Sequence, residues 1–366
     1  MQSDSATARR PARTLLRHLA GPVPLALLGA CGLPDGYPSA PILDLRWVVP
    51  SQSTRITVGN LLPAGVTILP DSSGFTISVA SASVTRTLSQ DCAACVAANG
   101  LTAPKPAFVA SASIATAVPV DIASATLTGG TLQVVVNNGY TFDPLYPNPI
   151  AGTPTGYAVI TVSNGGTVIG KDSVNGATTK LPAGGSLTRS IPLSGTITGS
   201  APLTVSLSLT SPAGEPVLID ASRSITVTAT PTNVRVANAN VAVVNRSVNS
   251  SSTIDLSGVD STIIRRVQNG SILLTIVNPF TVSSASLTVK LTPQGGATLT
   301  KSVPLATGNS TARIDFTAAE LKSLLGKVVS ISYSGAVNAT AGAVNISPKQ
   351  AVVVTTRLDI NLQVGG

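Results

Sequence analysis

A chain of 366 residues is longer than a single sandwich domain needs, so more than one folded unit is expected. Only 10% of its residues are charged and 3% aromatic, and the Lys and Arg behind the net charge of +8 are scattered; this excludes a nucleic-acid groove, and no nucleic-acid partner is expected. Val, Ile and Leu alternate with Ser and Thr over many short runs, which excludes disorder along most of the chain.

Residues 1–18 are polar and carry Arg9, Arg10, Arg13 and Arg17, while 19–30, LAGPVPLALLGA, are apolar and end in small residues. That order is the grammar of a secretory signal, and the apolar run is too short to span a bilayer. Directly after it, Leu28-Gly29-Ala30-Cys31 resembles the lipobox of bacterial lipoproteins. The resemblance implies removal of 1–30, a diacylglycerol on the Cys31 thiol and, with Gly32 rather than Asp following, a location at the outer membrane. Ordinary signal cleavage, with Cys31 a bystander, is the alternative. Residues 31–41, rich in Gly, Pro and Ser, read as a tether.

Residues 42–125 form a less regular β region, with strand-like runs at Arg55-Ile56-Thr57-Val58 and Phe75-Thr76-Ile77-Ser78-Val79. It reads either as a small domain of its own, which is the expectation, or as strands that complete the first repeat. Asp91-Cys92-Ala93-Ala94-Cys95 follows, and in an oxidising compartment Cys92 and Cys95 are expected to form a local disulfide. Redox catalysis would need the first cysteine at a helix N-terminus, whereas the surrounding sequence reads as strands and loops. A zinc site would need about four ligands; there is no second CxxC, and His18 is the only histidine, so neither metal nor cofactor is expected.

The rest of the chain is an internal duplication, 126–241 and 242–366. Thr131-Leu132-Gln133-Val134-Val135-Val136 matches Ser271-Ile272-Leu273-Leu274-Thr275-Ile276, and each run is followed by asparagine and turn residues. The first copy then carries an extra Pro-rich stretch with Tyr140, Phe142 and Tyr146. These aromatics read either as a binding anchor on a loop or as packing that covers a sheet edge. Register returns at Tyr157–162 against 287–292, with Gly165-Gly166 opposite Gly295-Gly296 as hairpin turns.

Leu203, Val205, Leu207 and Leu209 share one strand face, as do Leu358, Ile360, Leu362 and Val364; the closing strands are matched as 233–236 with 357–360. Short helices are predicted after Asp260, as N-cap, and at Thr317-Ala318-Ala319-Glu320, as a capping box. The fold class that follows is all-β, as tandem immunoglobulin/fibronectin-like antiparallel β-sandwiches. A large transmembrane barrel would need aromatic girdles, and five Phe, five Tyr and one Trp are too few.

The run from Ile272 to Gly296, a strand, Asn278-Pro279-Phe280, an alternating strand and a Gly-Gly hairpin, resembles the late-embryogenesis-abundant type 2, or WHy, domains. The match covers 240–364 best, and the motif becomes Asn138-Gly139-Tyr140 in the first copy. What the resemblance implies is a sandwich with a non-enzymatic role in stress protection or ligand binding. The residues agree on the absence of chemistry: there is no histidine after His18, no nucleophile elbow and no phosphate loop, and the acids are isolated. No catalytic residue is therefore expected. The leading expectation is a lipid-anchored scaffold of the cell envelope, joined to the membrane and to other envelope proteins; the alternatives are the WHy-like role and, last, a secreted enzyme.

Overall fold

The structure, a computed structural model, describes residues 41–146 and 155–365. The expected signal segment 1–30, Cys31 and most of the expected tether lie outside the described residues.

Strands follow the alternation of the sequence. β1 (Leu43–Thr57), β2 (Val66–Ile68), β3 (Phe75–Ile77) and β4 (Ala82–Thr87) precede two short helices, α1 (Leu88–Asp91) and α2 (Ala93–Ala97). Next come β5 (Thr102–Pro104), β6 (Phe108–Thr116), β7 (Ile122–Asn138), β8 (Tyr157–Asn164), β9 (Thr167–Asn175) and β10 (Ser186–Pro192). They are followed by β11 (Gly195–Ile197), β12 (Leu203–Ser211), β13 (Pro216–Leu218) and β14 (Ser224–Ala242). The last part holds β15 (Arg246–Asp255), α3 (Ser261–Arg265), β16 (Val267–Asn278), β17 (Val282–Pro293) and β18 (Leu299–Leu305). It closes with β19 (Gly308–Thr317), α4 (Ala318–Leu324), β20 (Val328–Ala339), β21 (Ala343–Ile346) and β22 (Ala351–Val364).

These strands build two antiparallel β-sandwiches. The first sets β4-β14-β7-β10 against β6-β12-β8-β9, and the second sets β1-β22-β16-β19 against β15-β20-β17-β18. Numbered within each sandwich, both follow the same order, 1-8-3-6 over 2-7-4-5. The expected class of tandem antiparallel sandwiches holds. The order refines it, because this is the double Greek key, or jelly roll, and not the seven-strand immunoglobulin arrangement.

The two copies are nested. β1 belongs to the second sandwich, pairing with β22 from Leu43↔Val364 to Thr57↔Ala351, yet the whole first sandwich lies between β1 and β15 in the chain. Residues 42–125 therefore have no sheet system of their own: β1 goes to the second sandwich, β4 and β6 to the first, and β3 pairs with β14. The expected boundary at 126 falls inside β7, whereas 242 coincides with the end of β14.

Alternation explains the cores. In β12, Leu203, Val205, Leu207 and Leu209 are buried while Ser206 and Ser208 are exposed, and a fully buried side chain of this size stabilises by about 1.5–3 kcal/mol. In the second core the buried Tyr333 hydroxyl of β20 meets the Thr356 hydroxyl of β22 at 2.7 Å, joining the two sheets. Gly165 and Gly166, at φ 59° and 84°, make the hairpin between β8 and β9. Asp260 caps α3 through the Thr262 N–H, and Thr317 with Glu320 forms the capping box of α4, both as expected.

The registers correct one alignment. Thr131 pairs with Thr232 as Ser271 pairs with Asp359, so Thr232 corresponds to Asp359 and the match of 233–236 to 357–360 is displaced. Asn233 sits at φ 51°, within an interruption of the β7–β14 ladder. Beyond it β14 runs on to the second sandwich, where Ala239–Ala242 pair with β21 and Arg246 meets Asp121 at 2.7 Å.

Candidate functional site

Antiparallel strand directions bring four sets of connecting residues to the free end of the first sandwich, away from the second: 88–107, 139–146 with 155–156, 176–185 and 212–223. They are tied to one another by backbone bonds, Leu88 N–H to Arg223 C=O at 2.8 Å, Gly139 N–H to Ser224 C=O at 2.9 Å and Gly176 N–H to Gly156 C=O at 2.8 Å. Gly176 is required by this closeness, since a Cβ there would lie 1.9 Å from the Leu145 carbonyl oxygen.

Three polar side chains organise the end. Asn138, at the end of β7, donates through Nδ2 to the carbonyls of Phe142 and Leu181 at 2.9 Å and accepts from the Tyr140 N–H at 2.9 Å. Asp143 accepts from the N–H groups of Leu145, Tyr146 and Leu181 at 2.8–3.1 Å. Lys105 is buried, with Nζ 3.3 Å from the carbonyls of Asp143 and Tyr146 and 5.8 Å from the centre of the Phe142 ring. Burial pushes its amine down to about 8, against the opposing charge of Asp143.

The two cysteines form the expected disulfide, with both residues buried. Their setting differs from the expectation of strands and loops. Thr87 and Gln90 make a capping box that starts α1, and Cys92 is the N-cap of α2, its sulfur accepting from the Cys95 N–H at 3.1 Å. The first cysteine thus does stand at a helix start. That helix has only five residues, however, and Cys92 and Cys95 are 3% and 0% exposed, so a substrate thiolate has no line of attack on either sulfur. The geometry is that of a staple.

The disulfide and the aromatic loop, far apart in sequence, meet here. Arg86 holds Asp91 at 2.8 Å, next to Cys92, and both charges act on the buried Tyr140 hydroxyl. Burial first, and then the Asp91 charge, push the Tyr140 hydroxyl above its ordinary range. Phe108 stands edge-on to Tyr140 and Phe142, with ring centres 6.2 and 6.3 Å apart. Tyr140 and Phe142 are therefore core residues of this end and unavailable as binding anchors, which corrects that reading for both. Tyr146 alone of the three is exposed, at 38%, with Lys180 Nζ 4.5 Å from its ring centre.

The exposed apolar groups that the sequence reading missed surround this end. Leu101 (59% exposed) and Leu218 sit on the paired segments around β5 and β13, and Val109 and Tyr157 flank Thr210 on the outer face of the sheet β6-β12-β8-β9. Tyr157 was legible: Ala158, Ile160 and Val162 face inward, so its phase points outward. The arrangement can offer an apolar rim on a rigid base. Among the described residues no three of His, Cys, Asp and Glu come together to hold a metal ion, and Asp143 is occupied by backbone donors.

No family model matches this chain, and no curated protein matches it. A protein of Parabacteroides distasonis assigned as secreted aligns at 10% identity over 86% of this chain and 99% of its own, with a TM-score of 0.35. Broad bean stain virus, at 10% identity over 86% and 89%, and the tandem CBM22 domain of Paenibacillus barcinonensis Xyn10C, at 9% over 84% and 96%, each reach 0.19. Scores this low carry no functional argument, and the fold rests on the strand order itself. No helix among the described residues is long and apolar enough to cross a membrane.

Proposed function

We propose that this is a lipid-anchored envelope protein that acts by binding rather than catalysis, with two sandwiches as a stem and the loop end of the first as the face offered to a protein partner. The observation that carries this reading is the path of the chain. β1 starts at Leu43 and runs toward the first sandwich, where the Val58 N–H meets the Gln350 carbonyl at 3.2 Å and β3 joins β14. Within the paired sandwiches, Leu43 thus lies at the end of the second that faces away from the first, and the stapled, apolar-rimmed connections lie at the end of the first that faces away from the second. A tether and a rigid stem hold a binding face near the membrane, which raises the effective concentration of a partner there.

Two measurements test it. Metabolic lipid labelling should mark the wild-type chain and not Cys31→Ala, and an unlabelled wild type would sink the anchor. A photo-crosslinking residue placed at Tyr157, at Leu101 or, on the flank of the second sandwich, at Thr300 should capture a protein in intact envelopes only at the first two positions. Equal capture at Thr300 would remove the loop end as the binding face.

A further inference from the structure

We propose that the Leu43 end of the second sandwich is a lipid-contact surface that rests on the bilayer holding the anchor; the inference builds on the anchored reading above. Leu43, Leu45 and Trp47 alternate along β1 and stand opposite Val364, Leu362 and Ile360 of β22, so they continue the face that lines the second core. The facing sheet stops short of them. Ile360 is fully buried and Trp47 half-buried, but Leu45 is 49% and Leu43 54% exposed, and Val48 is exposed on the opposite face. The apolar face of the second core thereby becomes exposed at the Leu43 end of that sandwich.

Cations border it. The Gln363 N–H donates to the Arg266 carbonyl at 3.0 Å, which fixes the end of α3 beside the last residues of β22, and Arg265 and Arg266 are exposed there. Asp260 is engaged as the N-cap of α3, and Arg46 is engaged by Asp359, which leaves Asp44 as the exposed carboxylate on the strand itself. Leucines, one tryptophan and an arginine pair form the pattern that suits a headgroup boundary, where apolar groups enter the acyl region, the indole sits at the interface and the arginines meet phosphates. The distance fits as well. The twelve residues from Gly32 to Leu43 reach about 40 Å when extended and roughly 20 Å as a flexible coil. A weak contact is then repeated continually, and it sets the stem upright on the membrane.

Trp47 is the only tryptophan, so fluorescence reports from this end alone. The acylated full chain in vesicles of phosphatidylethanolamine and phosphatidylglycerol should lose at least half of its emission when the acyl chains are brominated. Leu43→Ser with Leu45→Ser, at half-exposed positions, should abolish the quenching while the chain stays vesicle-bound, and Arg265→Glu with Arg266→Glu should weaken it. Mass analysis of the same sample reads acylation separately, so a failed anchor and a failed contact are told apart. Unquenched Trp47 in a vesicle-bound, acylated chain would overturn the proposal. So would quenching that ignores both variants, or a lipid-independent dimer that shields Trp47.

Discussion

Asn138 and Asn278 perform the same task at the same strand end in the two sandwiches. Each is 2% exposed, accepts from the N–H two residues on, Tyr140 or Phe280, and donates to the carbonyl four residues on, Phe142 or Val282. Each also reaches a second connection, at Leu181 and Pro182 or at Ala306. The aromatic that follows, Tyr140 or Phe280, is thereby turned into the core. Truncation to alanine should cost about 2–4 kcal/mol at either site, since it strands several buried backbone groups. Denaturant unfolding should show the larger loss for Asn138→Ala, which gives up one more carbonyl contact; wild-type midpoints for both would refute the assignment.

This pair also shows what was legible in the sequence. The asparagine-turn-aromatic pattern marked the duplication and suggested a family; the structure supplies a local reason for it that any strand end of this shape could share. Alternation located β12 and β22, and the caps of α3 and α4 could be read because capping is local. The Thr87-Leu88-Ser89-Gln90 capping box was equally readable and would have placed Cys92 in a helical turn. What could not be read was pairing between distant strands. Nothing in 43–57 names 351–364 as its partner, and Tyr140 and Phe142 looked like loop residues because Phe108, which stands edge-on to both, comes from a strand 32 and 34 residues earlier.

Lys105 should give the fold a measurable pH dependence. Its folded-state value, about 8, lies below the unfolded value of 10.5, so between these limits the unfolded chain binds more protons and stability rises with pH. Below about 8 the cost of burying the charge is fully present. Lys105→Met removes that cost along with the bonds to Asp143 and Tyr146. Unfolding free energies measured from pH 7 to pH 10.5 should therefore show the wild type gaining on Lys105→Met by at most about 3 kcal/mol. A constant difference across that range would show that the amine is not perturbed.

The Cys92–Cys95 bond closes a very short loop, so its loss should cost only about 2 kcal/mol in Cys92→Ala with Cys95→Ala. Burial matters more for its chemistry. Mass analysis of the native chain should show the pair joined, and both sulfurs should resist reduction and alkylation until the first sandwich is unfolded. Rapid native-state labelling by a thiol reagent after mild reduction would reopen a redox role.

Nesting makes a prediction that a plain tandem would not. β1 supplies Val49 and Ile56 to the second core and covers the β22 edge along its length, yet it reaches that sandwich from the far side of the first in sequence. A chain lacking 43–57 should keep the first sandwich, with its disulfide still protected, and lose the second, because β22 is left with an open edge and Leu358, Val354 and Val352 lose cover. A peptide of 43–57 added in trans should then restore it by strand addition. Trp47 travels with that peptide, so a rise in its fluorescence anisotropy on mixing reads the pairing directly. If the truncated chain unfolds at the wild-type denaturant concentration in every probe and binds no peptide, β1 is an ornament on the second sandwich and the jelly-roll order fails for that copy.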